Sequence, residues 1–417
     1  MSGVRISTRF IKKASLTRST KIAFFITAVI LLSLILAGCR QTGAVQSRAT
    51  AASPPPVETA GLRQHGRVTA SLALVGDIMV HQPQLSAAYN SNTGAYSFDG
   101  FFSEVGDYLR AADLTIGNLE TTLAGRDKKF TGYPQFNSPE EILPSLRDAG
   151  VDVLTTANNH SLDRGSYGVL RTIKHLDAAG IRHTGTASSP EEREKLLIID
   201  VQGIRVGILA YTYGTNGIPI PHNKQYLVNI LDLRQVREDI SKIRQEGADL
   251  VLVYPHFGVE YRRIPGLPEK ELVEQLFSAG ADIVAGSHPH VLQPMVRRDT
   301  MPGAGGLFAA YSLGNFVSAQ RGPYREAGVI LHLKVEKDLA TGKVMLTGAE
   351  YIPTWVHRYR EKGKTMFRVL AVEKALRDYR QGLDKKLAPT DYSMLQQVLK
   401  ETTSLLSDPD APAIRHM

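Results

Sequence analysis

Residues 286–290 read Gly-Ser-His-Pro-His and place two imidazoles one residue apart, directly after a short apolar run. The glycine permits a tight turn, and Pro289 restricts the backbone between His288 and His290. Neutral imidazoles are common metal ligands and can also transfer protons. The pair is therefore the strongest single candidate for a metal site in this chain, with a purely structural turn as the alternative.

Other polar residues suited to metal binding or proton transfer follow predicted strands. They are Asp77, Asn118, Glu120, Asn158, Asn159, His160, His256, Glu260 and Asn315. Each one alone is more typical of a turn, a helix cap or a hydrogen-bonded structural residue. Together they supply carboxylate, amide and imidazole groups, a ligand set that suits Mn, Fe or Zn. We interpret His175, His183 and His332 as structural, because they fall within or beside predicted elements.

The elements that must position these residues alternate between helix and strand. Segments 138–160, 233–258 and 268–290 share one order of helix, glycine, aspartate, apolar strand and polar loop. This alternation predicts an α/β fold, in which each helix returns the chain to the next strand. Because ligands bind beyond the carboxyl ends of strands in such sheets, we expect the polar loops to meet at one edge.

Further elements are predicted on both sides of these segments. A helix is expected at 166–180 and a hairpin at 195–212, around Gln202-Gly203. The remaining predicted strands are 68–77, 111–120, 305–316 and 328–335, with β-structure to about residue 356. Residues 366–417 have the apolar spacing of two amphipathic helices, at 367–381 and 392–406.

The first 38 residues have the pattern of an export signal. They contain six basic residues and no acidic one, and an apolar run at 22–37 precedes Cys39. The run is short for a membrane span and typical of a signal peptide, with an uncleaved anchor helix as the alternative. Leu36-Ala37-Gly38-Cys39 resembles a bacterial lipobox, which implies cleavage before Cys39 and its lipidation. An acylated terminus would hold the protein at the extracytoplasmic face of the cell membrane.

The domain organisation follows from composition. Residues 39–67 are small, polar and proline-rich, as expected of a flexible tether. The folded domain is predicted over 68–360, followed by a C-terminal helical extension over 361–417. Much of the net charge of +8 lies in the export signal, which leaves about +2 for the rest and weakens any nucleic-acid interpretation. The single cysteine excludes an intrachain disulfide and a thiolate zinc site.

Several other chemistries lack their motifs. The sequence has no Gly-x-Ser-x-Gly elbow, no His-Glu-x-x-His pair and no glycine-rich dinucleotide turn after the first strand. The Gly-Lys-Thr at 363–365 lacks the earlier glycine of a phosphate-binding loop.

Six motifs resemble, in family order, the CapA/PgsA family of bacterial capsule and poly-γ-glutamate synthesis proteins. They are LVGDIMV (74–80), GNLETTLAG (117–125), TANNHSLDRG (156–165), YPHFGVEY (254–261), GSHPHVLQP (286–294) and YSLGNFV (311–317). The resemblance implies a calcineurin-like metallophosphoesterase fold, in which two mixed β-sheets are sandwiched between helices and the site lies where the sheets meet.

The same resemblance implies roles at a site for divalent metal ions. The implied ligands are Asp77 and His290 for one ion, Asn159, His256 and His288 for a second, and Glu120 between them. His160 would be the catalytic acid near the substrate. The phosphoesterase pattern has a metal-binding histidine two residues after the first aspartate, whereas this chain has Met79 there and His81 two residues later. A thioether is a poor ligand for a hard cation, so one ion, two ions or a cleft used only for binding all stay open.

The resemblance implies a lipid-anchored, extracytoplasmic protein that takes part in the synthesis, export or anchoring of an anionic capsular polymer of the poly-γ-glutamate type. Two alternatives stay open: an active metal-dependent phosphoesterase on nucleotides or wall phosphates, and a non-catalytic subunit that binds and assembles the polymer. The expected partners are the polymer or a phosphorylated substrate, the membrane through the N-terminal lipid, and other capsule-synthesis subunits, but no nucleic acid.

Overall fold

The α/β class predicted from the sequence is confirmed by a computed structural model, which describes residues 66–298, 306–407 and 414–416. Two mixed sheets pack face to face, and helices cover their outer faces. The predicted arrangement of two mixed sheets between helical layers is therefore what the chain adopts.

The first sheet contains the N-terminal strand of the described chain. Its strands are β1 (Arg67–Ile78), β2 (Leu114–Leu119), β3 (Val153–Thr155), β4 (Arg182–Thr184), β11 (Asn315–Val317), β12 (Ala327–Asp338), β13 (Val344–Glu361), β14 (Lys364–Ala371) and β15 (Ile414–His416). The strand order is β14-β13-β12-β1-β2-β3-β4, with β11 beside β1 and β15 beside β13. Strands β1, β2, β3 and β4 run parallel, so their carboxyl ends share one edge.

The second sheet begins with the predicted hairpin. Its strands are β5 (Leu197–Val201), β6 (Ile204–Thr212), β7 (Leu250–His256), β8 (Ile283–Ala285), β9 (Met295–Arg298) and β10 (Leu307–Ala310). The strand order is β5-β6-β7-β8-β10-β9, and β6, β7 and β8 are parallel. Gln202 and Gly203 both have positive φ, at 54° and 85°, as a two-residue hairpin turn requires.

Helices return the chain between the parallel strands, as the alternating pattern predicts. They are α1 (Gln82–Ala88), α2 (Asp99–Phe102), α3 (Gly106–Arg110), α4 (Ile142–Ala149), α5 (Gly165–Ala179), α6 (Pro190–Arg193), α7 (Leu233–Gln245), α8 (Leu267–Ala279), α9 (Val372–Arg380) and α10 (Pro389–Leu406). Helices α4, α5 and α8 each end at a glycine in the left-handed conformation, which terminates the helix before the next strand.

The main core lies between the two sheets. Leu72 and Leu74 of β1 face this core, whereas Ala73 and Val75 face the outer helices of the first sheet. Side chains alternate across a strand, so β1 is buried on both faces. The hydroxyl of Tyr254 in β7 donates to the carbonyl oxygen of Val75 and joins the two sheets close to their carboxyl edges. This packing holds the two sets of strand ends in a fixed relation.

The C-terminal part differs from the prediction. Residues 367–371 were expected to start a helix, but they belong to β14, which pairs antiparallel with β13. Phe367 and Val369 face the helices of the first sheet, while Leu370 faces the opposite cluster, which is the alternation of a strand. The spacing of Phe367, Leu370 and Ala371 also fits a helix, and pairing with β13 decides between the two. The boundary predicted at residue 360 falls within this hairpin.

Two predictions concern residues outside the described ranges. The export signal at 1–38 with Cys39, and the tether up to residue 65, lie there. Arg67, which was assigned to the tether, is the first residue of β1. None of the helices within the described ranges is long and apolar enough to cross a membrane.

Candidate metal centre and active site

Strand ends of the first sheet supply the carboxylates. Asp77 near the end of β1 lies in register with Asn118 of β2, and Asn118 Nδ2 donates to Asp77 Oδ1 at 2.8 Å. Glu120 follows β2 directly and is fully buried. Because β1 and β2 are parallel neighbours, both carboxylates lie at the same edge of the sheet.

The second sheet supplies the imidazoles. His256 ends β7, and its Nδ1 lies 2.9 Å from Ser287 Oγ, which opens the turn after β8. His288 and His290 both have positive φ, at 99° and 56°, a conformation that few non-glycine residues adopt. Such local strain persists only where the surrounding structure enforces it and is common at functional sites.

Two glycines permit the close approach of these loops. A Cβ atom on Gly286 would lie 2.0 Å from the carbonyl oxygen of Tyr311, and one on Gly76 would lie 1.9 Å from that of Gly314. Neither distance is compatible with a side chain, so the residues before Ser287 and Asp77 must be glycine. This explains why both sequence motifs carry a glycine immediately before or within the ligand-bearing turn.

The side chains from both sheets converge. His290 Nδ1 lies 3.0 Å from Asp77 Oδ2, and His290 Nε2 lies 3.7 Å from Glu120 Oε1. His256 Nε2 lies 3.5 Å from the same Glu120 oxygen and 3.0 Å from Asn159 Oδ1. The structure therefore brings together all six residues that the sequence predicted as metal ligands.

Potential ligand atoms fall into overlapping groups whose members lie within 4.8 Å of one another. One group is Asp77, Glu120 and His290, a second is Glu120, His256 and His288, and a third is Glu260, His288 and His290. Glu120 belongs to the first two groups. The arrangement therefore offers two adjacent positions with one carboxylate between them.

The residues present fit a divalent cation. Both carboxylate oxygens of Glu120 and Nδ1 of His288 are buried without a hydrogen-bond partner in the described part of the chain. A buried polar group without a partner costs about 1–3 kcal/mol, and more if it is charged. Carboxylate oxygens and imidazole nitrogens are suitable ligands for Mn, Fe or Zn. A cation would satisfy these atoms, so the donor set agrees with the expected cofactor.

The pKa values of the site residues show which of them hold a proton in the absence of a cation. Burial raises the pKa of Glu120 to about 8. Burial opposes the charged form of His290, but Glu120 and Asp77 outweigh it and raise the pKa of His290 to about 9. Burial lowers the pKa of His256 to about 3 and that of His288 to about 2. His256 and His288 are therefore neutral and ready to ligate, whereas His290 carries a proton.

His160, the predicted catalytic residue, lies beside this centre rather than in it. Its Nδ1 lies 2.7 Å from Oδ2 of Asp163, and the same oxygen accepts from the backbone N–H of Phe136 at 2.6 Å. The Phe136 ring packs edge-on against the imidazole, at 4.7 Å between centroids. An Nδ1–H donor to Asp163 fixes the ring and leaves Nε2 for a substrate.

A cavity of about 430 Å3 opens next to His160. Its lining includes Tyr133, Gln135, Asn159, His160, Asn216 and Glu260. Asn159 contributes to both places, since its Oδ1 faces His256 and its Nδ2 donates to Asn216 at 3.2 Å. The cavity is the natural place for a group that contacts the metal ligands on one side and His160 on the other.

Met79 and His81 have different surroundings from the ligand residues described above. Met79 is buried, and its backbone N–H donates to the carbonyl oxygen of Val317 at 2.9 Å. His81 belongs to none of the ligand groups among the described residues, and its Nδ1 accepts from the backbone N–H of Ala319 at 3.4 Å. Burial lowers the pKa of His81 to about 4. His81 therefore does not take the place that Met79 leaves.

Sequence reasoning left several contributors to the site without a role. Asn118 and Glu260 were noted after strands but were not assigned as ligands, although Asn118 holds Asp77 and Glu260 is near His288. Asp163 and Ser287 were not singled out. Asp163 had a usable signal, because it stands three residues after His160 and can therefore face it within one turn.

The family of the chain follows from its sequence match. The profile described as Bacterial capsule synthesis protein PGA_cap matches residues 71–320, which is more than half of the chain. The chain belongs to this family. Asp77, Glu120, His160, His256 and both histidines of the 286–290 turn lie within the matched region.

Relatives in this family have sequences of moderate identity. Capsule biosynthesis protein CapA of Bacillus anthracis is 32% identical over 267 residues, which cover 62% of this chain and 61% of that protein. PGA biosynthesis protein CapA of Bacillus subtilis (strain 168) is 27% identical over 329 residues, covering 75% and 80%. The match thus spans about three fifths of the length of the Bacillus anthracis relative.

Solved structures give weaker likenesses. NAD nucleotidase (NadN) of Haemophilus influenzae has a TM-score of 0.41 and 14% identity, with 82% of this chain and 60% of that chain covered. Calcineurin-like phosphoesterase YfkN from Bacillus subtilis has a TM-score of 0.38 and 15% identity, with 81% and 99% covered. Likenesses of this size carry no functional argument.

Proposed function

We propose that this chain is a metal-dependent protein of capsular polymer synthesis that acts on an anionic polymer of the poly-γ-glutamate type. The observation that carries the metal dependence is Glu120, whose two buried oxygens have no hydrogen-bond partner among the described residues and lie close to His256 and His290. Family membership supports the polymer class, since relatives are named for capsule and PGA biosynthesis.

Each ligand has a defined place in the proposal. Asp77 and His290 would hold one cation, His256, His288 and Asn159 the other, and Glu120 would contact both. Bound divalent cations would supply Lewis-acid stabilisation of negative charge on the group under attack. The chain itself orients that group through the 430 Å3 cavity and excludes bulk water from the buried ligands.

The pair His160–Asp163 favours a second candidate, hydrolysis of a phosphoester, over a role in binding alone. A histidine whose Nδ1 is held by a buried carboxylate can present Nε2–H to a leaving oxygen. A protein that only binds a polymer has no need of an oriented proton donor beside its metal ligands. The proton would pass from Nε2 to the departing oxygen, and the Asp163 carboxylate would stabilise the charged ring before transfer.

Anchoring at the membrane is part of the same proposal. The basic segment, the apolar run at 22–37 and the single cysteine at its end support lipidation of Cys39 on the extracytoplasmic face. One lipid chain binds a membrane weakly, so more than one acyl chain is expected on a stable anchor. Mass spectrometry of the mature N-terminal peptide tests this, and an unmodified Cys39 contradicts it.

The central test combines metal analysis, activity and complementation. Purified full-length chain in detergent is expected to retain Mn, Fe or Zn by mass spectrometry, and His288→Ala is expected to lose most of it. The His288→Ala gene should fail to restore capsule to a deletion strain, whereas a strain with Glu238→Gln, a change on the exposed face of α7, should be restored. Full complementation by His288→Ala would show that the metal site has no role in capsule formation.

Hydrolysis is tested separately. Wild-type chain loaded with Mn is expected to cleave bis-p-nitrophenyl phosphate, and His160→Ala should lose about 10²–10⁴-fold in kcat, the range usual for a general acid. Absence of cleavage with Mn, Fe, Zn and Co would remove the phosphoesterase candidate and leave the polymer-binding role standing.

A further inference from the structure

Two loops beside the metal centre contact each other through two arginine–tyrosine stacks, and each loop supplies one arginine and one tyrosine. The guanidinium carbon of Arg325 lies 3.7 Å from the ring centroid of Tyr261, and that of Arg263 lies 3.9 Å from the ring centroid of Tyr324. Contacts this short between a guanidinium and an aromatic face are favourable and orient the cation. We refer to Tyr261, Arg263, Tyr324 and Arg325 as the Tyr–Arg strip.

Both tyrosines of the strip have a strained backbone. Tyr261 has φ at 63° and Tyr324 at 68°, the left-handed region that bulky residues rarely occupy. Their side chains nevertheless stay partly open to solvent, at 39% and 37% exposure. Packing of a buried ring therefore does not account for the strain, which is typical of positions kept for binding.

Hydrogen bonds fix the strip to the metal centre. The backbone N–H of Tyr261 donates to the carbonyl oxygen of Pro289 at 2.8 Å. Asn315 Nδ2 lies 2.8 Å from the carbonyl oxygen of Arg325 and 3.2 Å from that of His290, so it joins both loops. The ring centroids of Tyr261 and His290 are 6.2 Å apart. The strip thus starts at the mouth of the site.

The arginines of the strip have unused capacity for an anion. Within the described ranges, no carboxylate forms an ion pair with Arg263 or Arg325, whereas the neighbouring Arg321 pairs with Glu326 at 2.5 Å. Nε of both arginines is buried without a hydrogen-bond partner there. Nη2 of Arg263 donates to the carbonyl oxygen of Glu401 and Nη1 of Arg325 to that of Arg321, each at 3.2 Å, which leaves Nη1 of Arg263 and Nη2 of Arg325 for an anion. The terminal N–H groups of a guanidinium form strong, charge-assisted hydrogen bonds with carboxylate or phosphate.

The strip also leads away from the site. Beyond Arg263 a cavity of about 420 Å3 lies against α10, and its lining includes Gln397, Lys400, Glu401 and Ser404. Cationic groups therefore follow one another from the metal centre through Arg325 and Arg263 to Lys400. Tyr324, Arg325 and Lys400 lie beyond residue 320, where the family match ends. Residues outside the matched region thus extend the site.

We propose that the Tyr–Arg strip binds the part of the polymer that leads away from the metal centre, through successive carboxylate groups. This inference rests on the proposed function, because the strip by itself would accept phosphate as well as carboxylate. Tyr261 and Tyr324 hold the guanidinium planes of Arg325 and Arg263, and the polymer carboxylates accept from Nη1 of Arg263 and Nη2 of Arg325. Lys400 is placed to attract the chain as it leaves the strip.

The test measures binding of a fluorescent poly-γ-glutamate oligomer to the full-length, Mn-loaded chain by anisotropy. Each loss of a charge-assisted contact is expected to weaken binding about tenfold, so Arg263→Ala and Arg325→Ala should each do so. Arg237→Ala removes an exposed arginine of α7 and is the matched control, with binding expected to change less than about twofold. Metal content should equal that of the wild type in all variants.

Stacking on tyrosine also stabilises the loops, so a lowered melting temperature in the alanine variants would blur the result. Arg263→Lys with Arg325→Lys keeps both charges and removes both planar forks. This double variant should melt like the wild type and still bind the oligomer about tenfold more weakly. Wild-type affinity in this variant overturns the inference.

The remaining outcomes separate the strip from the proposed function. If the wild type and the arginine variants bind the oligomer equally well, the strip does not bind the polymer, and the proposed function is unaffected. If the wild type binds no poly-γ-glutamate, the binding role of the strip and the proposed function are both wrong. If the arginine variants lose affinity only for polyphosphate, the strip is a phosphate site and the carboxylate assignment is overturned.

Discussion

Nδ1 of His290 lies 3.0 Å from Oδ2 of Asp77, which joins the turn after β8 of one sheet to the end of β1 in the other. Both side chains are buried. Because the pKa of His290 is raised to about 9, its imidazolium balances the charge of Asp77 while Glu120 still holds its own proton. A divalent cation that takes this place must therefore displace a proton.

Metal affinity should rise with pH. Below pH 8, Glu120 holds a proton because burial raises its pKa to about 8, and His290 stays protonated until about pH 9. Both protons must leave on binding, so the dissociation constant for Mn should fall by about tenfold or more per pH unit between pH 6 and 8. Calorimetric titration in buffers of different ionisation enthalpy measures the affinity and the number of protons released. An affinity that is independent of pH, with no proton release, would contradict this arrangement of ligands.

Glu120→Gln should separate metal binding from folding. An acid whose pKa is raised in the folded state destabilises that state at any pH above its unfolded pKa, so a neutral glutamine should leave the metal-free protein at least as stable at pH 8. Excess Mn should stabilise the wild type by about 2.7 kcal/mol at 100 times its dissociation constant, and the variant by much less. Thermal melts with and without Mn measure both effects.

The matched control for Glu120→Gln is Glu238→Gln, the same change on the exposed face of α7. It should respond to Mn as the wild type does. If Glu120→Gln responds equally to Mn, Glu120 is not shared between the two ligand groups.

Asp163→Asn should act on His160 and not on the metal. The amide carries no negative charge, so it would no longer stabilise the protonated ring that donates its Nε2 proton to the leaving oxygen. We expect a fall in kcat that is smaller than the roughly 10²–10⁴-fold fall in His160→Ala, with unchanged metal content. Loss of metal in Asp163→Asn would instead place Asp163 in the ligand shell.

Gly286→Ala should disturb the ligand-bearing turn. The added Cβ would lie 2.0 Å from the carbonyl oxygen of Tyr311, so the turn must move. Overpacking of this kind costs about 1–3 kcal/mol or more. We expect a lower melting temperature and weaker Mn binding. Gly100→Ala, where nothing lies within 4 Å of the added atom, is the control and should be neutral or slightly stabilising.

The C-terminal helices should depend on Arg368. This buried arginine of β14 donates to His357 Nδ1 at 3.0 Å and pairs with Asp384 at 2.7 Å, in the segment between α9 and α10. Removal of one partner of a buried ion pair costs about 3–5 kcal/mol, so Arg368→Ala should be strongly destabilising. Urea unfolding measures the loss. Arg358→Ala, an exposed arginine on β13, should change stability by less than about 0.5 kcal/mol.

Local signals predicted much of the fold. Helices α5, α7 and α8 agree with the predictions within about two residues, because apolar spacing and terminal glycines are read from neighbouring residues. The segment 367–371 could not be decided in this way. Its apolar residues fit the period of a helix as well as that of a strand. Pairing with β13, whose partner residues lie up to 17 positions earlier in the chain (Thr354 opposite Ala371), makes it a strand.

For the candidate site, too, some features follow from the sequence and others depend on the tertiary structure. The residue types at strand ends, and the Pro-stiffened pair at 288 and 290, determined which side chains were available for metal chemistry. Tertiary structure decided which of them come into contact. Glu260 lies close to His288 and His290, whereas His81 accepts a hydrogen bond from Ala319 instead. Arg325 stacks on Tyr261, which lies some sixty residues earlier in the chain. The physical reason is that a strand end is defined by its neighbours in sequence, whereas contact between strand ends depends on how two sheets pack. No local pattern encodes that packing, and it alone sets the distance from Asp77 to His290.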